Sequence, residues 1–287
     1  MTGNEMCAVQ HGLYAEGKNP STADALADTS PPRRAWPQIV LRDREGLLLH
    51  RQKANPMGME LYELVGRNDH RFSPYAWRSR LALAHKGLEA TLVPCRLTDK
   101  DKIAFSKQER VPILKDGDTV VPDSWAIACY LEDRYPDRPS LFGGPVGRGV
   151  ARVVNAAADS QLIPAMARLI LGDVFATIDP ADREYFRRTR EPRFGATIEA
   201  IAAGRDGQRQ PWLNALGPFR LVLKEQPFLS GDKPAYADYI LFGTFQWARC
   251  TSPYPLLERD DPIYAWREKM LDLFGGLGRK AKGYPVG

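Results

Sequence analysis

"FSPYAWRSRLALA", residues 72–84, carries the pattern of a helix that begins at a proline. Ser73 belongs to the residue types favoured at an N-cap, and Pro74 suits the first helical turn, where a missing backbone N–H removes no hydrogen bond. We expect this helix to run from Pro74 to about Lys86, with Gly87 as its stop. Its N-terminus presents unpaired backbone N–H groups beside the Ser73 hydroxyl. Its apolar stripe recurs at helical spacing and consists of Trp77, Leu81 and Ala84.

The segments around this helix predict the rest of an α/β layer. Apolar and β-branched runs predict strands at 61–65, 91–95, 111–114 and 119–121, and a second helix at 124–135. The last two strands form a hairpin, and a polar, Lys-rich stretch precedes them. The order is strand, helix, strand, irregular segment, strand, strand, helix, which predicts a thioredoxin-like α/β domain at residues 58–139.

The sequence after this layer predicts a second, all-α domain at residues 150–287. Prolines and glycines indicate a linker at residues 140–149. Beyond the linker, apolar residues recur at helical spacing over five segments: 153–170, 194–203, 212–224, 236–249 and 263–274.

Residues 1–57 show no sustained periodicity and contain several prolines and glycines, which predicts a disordered extension. The ordered pattern begins abruptly at Met57 and Met59, so one hypothesis is that the natural start codon is one of these two. Acidic residues in the extension, such as Glu5 and Glu16, argue against a mitochondrial presequence.

Composition limits the classes of function. The net charge of +5 arises from 40 basic and 35 acidic residues spread along the chain, which does not favour nucleic-acid binding. No window approaches the roughly 18 apolar residues of a membrane span, and no signal peptide pattern is present. The four cysteines are scattered, so neither a metal site nor a disulfide framework is indicated, and a reducing, cytoplasmic location is expected.

Ser73 allows two interpretations. As a simple cap it only stabilises the helix. As part of a site, its hydroxyl and the helix N-terminus would stabilise an anion such as a thiolate. A free thiol has a pKa of about 8.5, so making it mostly thiolate at neutral pH requires about 2.7 kcal/mol, which matches one charge-assisted hydrogen bond plus the helix end. The tetrad 73–76 lacks both sulfurs of a glutaredoxin Cys-Pro-Tyr-Cys site, which argues against redox catalysis by the protein's own thiols.

Two further pairs of residues can likewise be interpreted either as structural elements or as parts of a binding site. Pro112 at the start of a strand indicates either an edge position or a cis peptide bond, and the cis form would turn the Val111 backbone toward an extended peptide. Asp123 and Ser124 open the next helix and are either caps or recognition groups for the ammonium and carboxylate of an amino acid.

These blocks, in their order and spacing, resemble the glutathione S-transferases from about Met59 to the end of the chain. The resemblance rests on four short blocks, SPY at 73–75, RVPIL at 110–114, VPDSWAI at 121–127 and LEDRYP at 131–136. Within the family the chain looks most like the bacterial β-etherase type and related fungal transferases. This finer resemblance rests on four longer stretches, SPYAWRSRLALAHKGLE at 73–89, VPDSWAIACYLEDRYPDRPSLF at 121–142, PFLSGDKPAYADYILFG at 227–243 and DDPIYAWREKMLDLFGGLGRK at 260–280.

The resemblance implies a homodimer that uses glutathione as a cosubstrate. Ser73 would stabilise the glutathione thiolate, with Tyr75 as the alternative. The implied glutathione contacts are Val111 of the Val111-Pro112 pair for the cysteinyl backbone, Asp123 and Ser124 for the γ-glutamyl end, and Arg110 for the glycine carboxylate, with Lys102 and Lys107 as competitors. One departure from the family pattern is Ala235, because members of the family usually have Ser or Thr at this position, in a capping box with an aspartate, here Asp238.

The acceptor side of the site is less specific. A small hydrophobic or aromatic electrophile is implied, with β-aryl ether cleavage as the specific reaction, and the alternative function is a non-catalytic binding or regulatory protein. The expected pocket lining, each member of which also fits ordinary core at helical spacing, is Tyr75, Met166, Ile170 and Phe175.

Overall fold

The computed structural model describes residues 58–285, and its first half is an α/β layer. The layer contains β1 (Glu60–Leu64), α1 (Pro74–His85), β2 (Thr91–Cys95), β3 (Ile113–Asp116), β4 (Thr119–Pro122) and α2 (Ser124–Arg134). This is the predicted order, and the thioredoxin-like fold is confirmed. The extension expected over residues 1–57 lies outside the described residues.

The four strands form one mixed sheet in the order β2-β1-β3-β4. β1 pairs parallel to β2 and antiparallel to β3, which in turn pairs antiparallel to β4. Leu61 lies opposite Leu92 on one side and Leu114 on the other, and both Leu61 and Leu114 are buried beneath the helices. Because β3 lies inside the sheet, Pro112 precedes an interior strand and not an edge strand.

The second half is helical, as predicted. Its helices are α3 (Pro145–Ala157), α4 (Ile163–Thr177), α5 (Arg183–Phe194), α6 (Ile198–Ala203), α7 (Arg209–Ala215), α8 (Gly217–Glu225), α9 (Tyr236–Thr251) and α10 (Pro262–Gly276). A π-helical segment, Ala158–Leu162, joins α3 to α4. The single helix expected over 153–170 therefore extends beyond both ends of that range and contains a wider π-helical turn.

The structure corrects the linker expected at residues 140–149. Helix α3 already begins at Pro145, inside that segment. Pro145 occupies the first helical turn, where proline is favoured, so a residue interpreted as a breaker is a helix start.

Helix α5 is missing from the sequence prediction, which has no helix between residue 170 and the segment 194–203. The twelve residues of α5, REYFRRTREPRF, bury one side chain fully, Phe186, so they show no apolar stripe. Asp182, just before α5, is fully buried and holds the helix to the sheet. Its carboxylate accepts hydrogen bonds from the Leu97 and Thr98 N–H groups at 3.0 and 3.1 Å and from the Thr98 hydroxyl at 2.6 Å.

Helix α9 forms the centre of the core and packs directly on the start of α1. A Cβ atom at Gly243 would lie 2.5 Å from the Pro74 carbonyl oxygen, so only glycine permits this approach. The missing cap hydroxyl at Ala235 is compensated by Asp238, a buried carboxylate that accepts hydrogen bonds from the backbone N–H of Ala235 at 3.1 Å and of Leu229 at 2.7 Å. Among residues 58–285, no helix is both long and apolar enough to cross a bilayer.

Candidate functional site

A cavity of about 340 Å³ lies where the α/β layer meets the helical half. The α/β wall includes Ser73, Tyr75 and Val111. The helical wall has an apolar floor and a polar rim. The floor comes mainly from α4 and consists of Ile163, Ala167, Leu171, Val174 and Trp247, and the rim comes from α5 and consists of Tyr185, Phe186, Thr189, Arg190, Arg193 and Phe194.

Ser73 is the N-cap of α1 and borders this cavity. Its Oγ accepts a hydrogen bond from the Ala76 N–H at 3.3 Å, and its side chain is 4% exposed. Among the described residues, no acceptor is found for the Ser73 hydroxyl proton. That proton is therefore free to be donated to a ligand in the cavity, next to the positive end of the helix dipole.

Val111 and Pro112 form the second polar element of the α/β wall. The peptide bond between them is cis, one of the two alternatives indicated by the sequence. Val111 borders the cavity, and within residues 58–285 its N–H and C=O have no hydrogen-bonded partner. Free backbone groups at this position suit pairing with an extended peptide.

Asp123 and Ser124 lie at the start of α2, outside the lining of the cavity. Asp123 is exposed and has a left-handed φ of 75°, an unusual conformation for a non-glycine residue. Its Oδ1 accepts hydrogen bonds from the Trp125 and Ala126 N–H groups at 2.9 and 3.1 Å, which leaves Oδ2 without a partner in the described chain. Ser124 is buried, and its carbonyl accepts a hydrogen bond from the Tyr236 hydroxyl at 2.7 Å, which ties α2 to α9.

The three candidates for a carboxylate-binding cation occupy different positions. Arg110 is exposed, borders the cavity and has no ion pair with any described residue. Lys102 donates a hydrogen bond to the Pro94 carbonyl at 2.5 Å, and Lys107 is an exposed residue that does not border the cavity. Of these three residues, Arg110 is the one that borders the cavity.

Tyr75, the residue after Pro74 in α1, borders the cavity. Its ring lies against the Arg78 guanidinium, whose Cζ is 4.8 Å from the ring centroid, and Arg78 is itself paired with Asp159 at 2.9 Å. Burial raises the pKa of the Tyr75 hydroxyl, an effect that the charge of Asp159 reinforces. Tyr75 is thus protonated at neutral pH and can act as a donor in the cavity but not as a base.

The structure places three of the four residues expected to line the acceptor pocket outside this cavity. Met166 and Ile170 are fully buried in the core, and neither borders the cavity. Phe175 also lies outside it and packs against Phe186, with ring centroids 6.0 Å apart. Apolar spacing alone does not distinguish the core positions of α4 from its cavity-lining positions, because both are apolar. Of the expected lining, Tyr75 is the member that borders the cavity.

The sequence prediction also missed polar groups at the rim. Arg190 and Arg193 border the cavity from α5, the helix that the apolar pattern does not reveal. The available signal was the density of arginine, five in the twelve residues of α5. Such a run is usually a solvated face, so it carried no functional prediction.

Cys95 is a thiol that borders the cavity but is not suited to be a nucleophile. It is buried, and burial raises its pKa to about 11, so it is protonated at neutral pH. Within the described residues, no group of three or more His, Cys, Asp or Glu side chains is placed to hold a metal ion.

Comparison with known proteins identifies the family. The model of the glutathione S-transferase N-terminal domain matches residues 69–139, and that of the C-terminal domain matches residues 150–259. The chain is 30% identical over 140 residues to the glutathione S-transferase-like protein ustS of Aspergillus flavus, which covers 44% of this chain and 49% of that protein. It is 42% identical over 74 residues to glutathione S-transferase Z2 of Arabidopsis thaliana, which covers 24% of this chain and 33% of that protein.

These two matches span half or less of the length of either curated relative. Among solved structures, the glutathione S-transferase CsGST63524 of Ceriporiopsis subvermispora, in complex with glutathione, superposes with a TM-score of 0.69 at 23% identity, over 80% of this chain and 100% of that one. The fold is thus shared over nearly all described residues. With both domain models matched in order along the chain, this protein belongs to the glutathione S-transferase family.

Proposed function

We propose that this protein is a glutathione transferase that stabilises the glutathione thiolate at Ser73 and directs it at an electrophile in the cavity. The observation that carries this proposal is the Ser73 hydroxyl, a buried helix cap with a proton free to donate, at the edge of an apolar cavity. Family membership and the likeness to a structure in complex with glutathione support glutathione as the cosubstrate.

The remaining glutathione contacts are assigned to residues of the α/β layer. The free N–H and C=O of Val111, next to Pro112, pair with the cysteinyl backbone. The free Oδ2 of Asp123 and the start of α2 at Ser124 receive the γ-glutamyl ammonium and carboxylate. Arg110 takes the glycine carboxylate.

The chemistry follows from this placement. The Ser73 hydroxyl and the α1 N-terminus stabilise sulfur in its charged form, so the thiol proton is lost to solvent before reaction. The thiolate sulfur then forms a C–S bond with the electrophilic carbon, and the bond from that carbon to the leaving group breaks with departure of the leaving group as an anion. The cavity contributes by holding the two reactants close and aligned.

The specific reaction that we propose is cleavage of a β-aryl ether, in which the leaving group is a phenolate. Its support is the resemblance of the four long sequence stretches to the β-etherase type. The apolar floor of the cavity, formed by α4 and Trp247, suits an aromatic substrate.

We also propose a homodimer. Helix α3 exposes three valines on one stripe, Val146, Val150 and Val153, at 82%, 59% and 69% exposure. An apolar stripe of this kind on a surface helix is typical of a protein contact. Sedimentation analysis tests the assembly, with a mass near twice that of the 32.2 kDa chain expected.

The function is tested by two measurements on one preparation. Calorimetry measures glutathione binding, and consumption of glutathione is followed with an aryl halide and with a β-aryl ether. Binding with turnover supports the transferase, and release of phenol from the ether supports the specific reaction. Glutathione binding without turnover of any electrophile would favour the non-catalytic binding protein, and absence of glutathione binding would refute the transferase.

A further inference from the structure

The rim of the cavity has an unbalanced charge. Among the described residues that border the cavity, five are basic and one, Glu109, is acidic. Two of the basic residues are already engaged. Arg96 is paired with Asp99 at 3.0 Å, and Lys100 donates a hydrogen bond to the Glu109 carbonyl at 2.5 Å.

The other three cations, Arg110, Arg190 and Arg193, have no carboxylate within 4.0 Å among residues 58–285. Arg190 donates a hydrogen bond to the Thr189 hydroxyl at 2.7 Å and lies over the Phe186 ring, with its Cζ 5.1 Å from the centroid. The nearby Glu191 of α5 is not available to it, because that carboxylate is paired with Arg187 at 2.8 Å.

Arg110 and Arg193 also place positive charge near Arg190. Burial lowers the pKa of Arg190, and the charges of Arg110 and Arg193 act in the same direction. Like charges held together at a partly desolvated rim are unfavourable unless an anion joins them. A bound anion would relieve this repulsion and satisfy the free N–H donors.

The three unpaired cations lie on two different walls of the cavity, which suggests two different roles. Arg110 precedes Val111 on the α/β wall, where the proposed function places glutathione. Arg190 and Arg193 are three residues apart on the helix of the opposite wall, so they share one face of α5. The same cavity contains Ser73 and the apolar floor, which includes Leu171 and Val174.

Resting on the proposed transferase function, we propose that the natural electrophile carries a carboxylate, bound by Arg190 and Arg193, on an apolar or aromatic body seated over α4. The guanidinium groups orient the substrate, and its electrophilic carbon faces the sulfur at Ser73. This assigns Arg190 and Arg193 as specificity-determining residues for an anionic acceptor.

The test compares two aryl halides that differ by one carboxylate, 2-chloro-1,3-dinitrobenzene and 4-chloro-3,5-dinitrobenzoate. In both, the glutathione sulfur forms a bond to the ring carbon, chloride leaves, and the thiol proton passes to solvent. The measured quantity is the ratio of kcat/KM for the carboxylate to kcat/KM for the neutral compound, each first divided by the uncatalysed rate.

We expect this ratio to exceed about ten in the wild-type protein and to fall about tenfold in the Arg190→Gln, Arg193→Gln double variant. High salt lowers the ratio for the wild-type protein, because the recognition is ionic. Arg190→Lys, which keeps the charge but not the planar fork, retains part of the preference.

The matched control is the Arg168→Gln, Arg188→Gln double variant. It removes the same net charge from α4 and α5 at two exposed residues that do not border the cavity. Its ratio is expected to equal that of the wild-type protein, which separates local recognition from the overall field of the protein.

Three outcomes would overturn the inference. One is a wild-type ratio near one, and another is an equal fall of the ratio in the control variant. The third is a rise in KM for glutathione in the Arg190, Arg193 variant with an unchanged ratio, which would assign these residues to the glutathione site. In all three the proposed transferase activity survives, whereas failure of the wild-type protein to conjugate either compound would refute the proposed function itself.

Discussion

The two walls of the cavity obtain their polar groups in different ways. On the α/β wall, the groups proposed to hold the sulfur and the cysteinyl backbone are a small hydroxyl and backbone atoms, held by local turns at Ser73 and Val111. On the helical wall they are the long side chains of Arg190 and Arg193, projected from a helix with only one fully buried side chain. A wall built from caps and turns leaves a pattern in the sequence, whereas one built from side chains on a polar helix does not.

This difference fits the two reactants that we propose. Glutathione is the same cosubstrate whichever electrophile reacts, so the wall proposed to bind it can consist of groups in fixed positions. The electrophile is the variable partner, and side chains on a surface helix can vary while α4 and α9 preserve the core.

The largest effect is expected from Asp182→Ala, which breaks the connection between the walls. The buried carboxylate accepts three hydrogen bonds from Leu97 and Thr98, and its removal leaves three donors without a partner. At about 1 kcal/mol for each donor, the free energy of unfolding falls by about 3 kcal/mol, as measured by urea denaturation.

Asp133→Ala is the control for this loss of charge. Asp133 is 63% exposed and paired with Arg148 at 2.7 Å, so its loss costs less than about 1 kcal/mol. Equal stability of the two variants would show that Asp182 does not hold α5 to the sheet.

The second effect concerns the α/β wall alone. Ser73→Ala is expected to lower kcat about tenfold, or about 1.4 kcal/mol, with little change in KM for glutathione, because the lost hydrogen bond acts on the thiolate. The pKa of enzyme-bound glutathione, followed by thiolate absorbance, rises by about one unit in this variant.

Thr197→Ala is the matched variant, since Thr197 caps α6 through an equivalent hydrogen bond from the Ala200 N–H at 3.2 Å but does not border the cavity. Both variants lose about 1 kcal/mol of stability as cap deletions, and only Ser73→Ala loses turnover. Unchanged turnover in Ser73→Ala would transfer the role to Tyr75, for which Tyr75→Phe is the test.

The third prediction compares two cations of the α/β half. Arg110→Gln is expected to raise KM for glutathione about fivefold, or about 1 kcal/mol, because an exposed charge-assisted contact to the glycine carboxylate is lost. Lys107→Gln removes the same charge outside the cavity and leaves this KM unchanged. Steady-state kinetics at varied glutathione measures both, and a larger effect at Lys107 would reverse the assignment.

The smallest effect is expected at Cys95, the thiol of the α/β wall. Burial raises its pKa to about 11, so at pH 7.5 it is protonated, and its reaction with iodoacetamide is much slower than that of the unfolded chain. Labelling, followed by mass spectrometry, accelerates as the pH rises toward 11. Cys95→Ser keeps near wild-type turnover, and rapid labelling at pH 7.5 would contradict the protonated thiol.

The sequence predicts the α/β half closely. The strands and helices from β1 to α2 appear in the expected order, and β2 has the expected bounds, Thr91–Cys95. The helical half is predicted less well, because α5 lacks an apolar stripe and α3 begins at Pro145, a residue that otherwise marks a break. Met166 and Ile170, expected in the lining, do not border the cavity, and the sequence does not reveal this because core and lining positions of α4 are both apolar.

Sequence alone was sufficient for the fold class, the family and the position of Ser73, because caps, turns and strand patterns are local and their spacing survives in one dimension. Tertiary structure was needed for the helical wall. The position of Arg190 and Arg193 at the cavity, without ion-pair partners, depends on how Asp182 holds α5. The residues of α4 that meet the cavity depend on how the helices pack, including α9 on α1. These are contacts between residues far apart in the chain, and no local pattern encodes them.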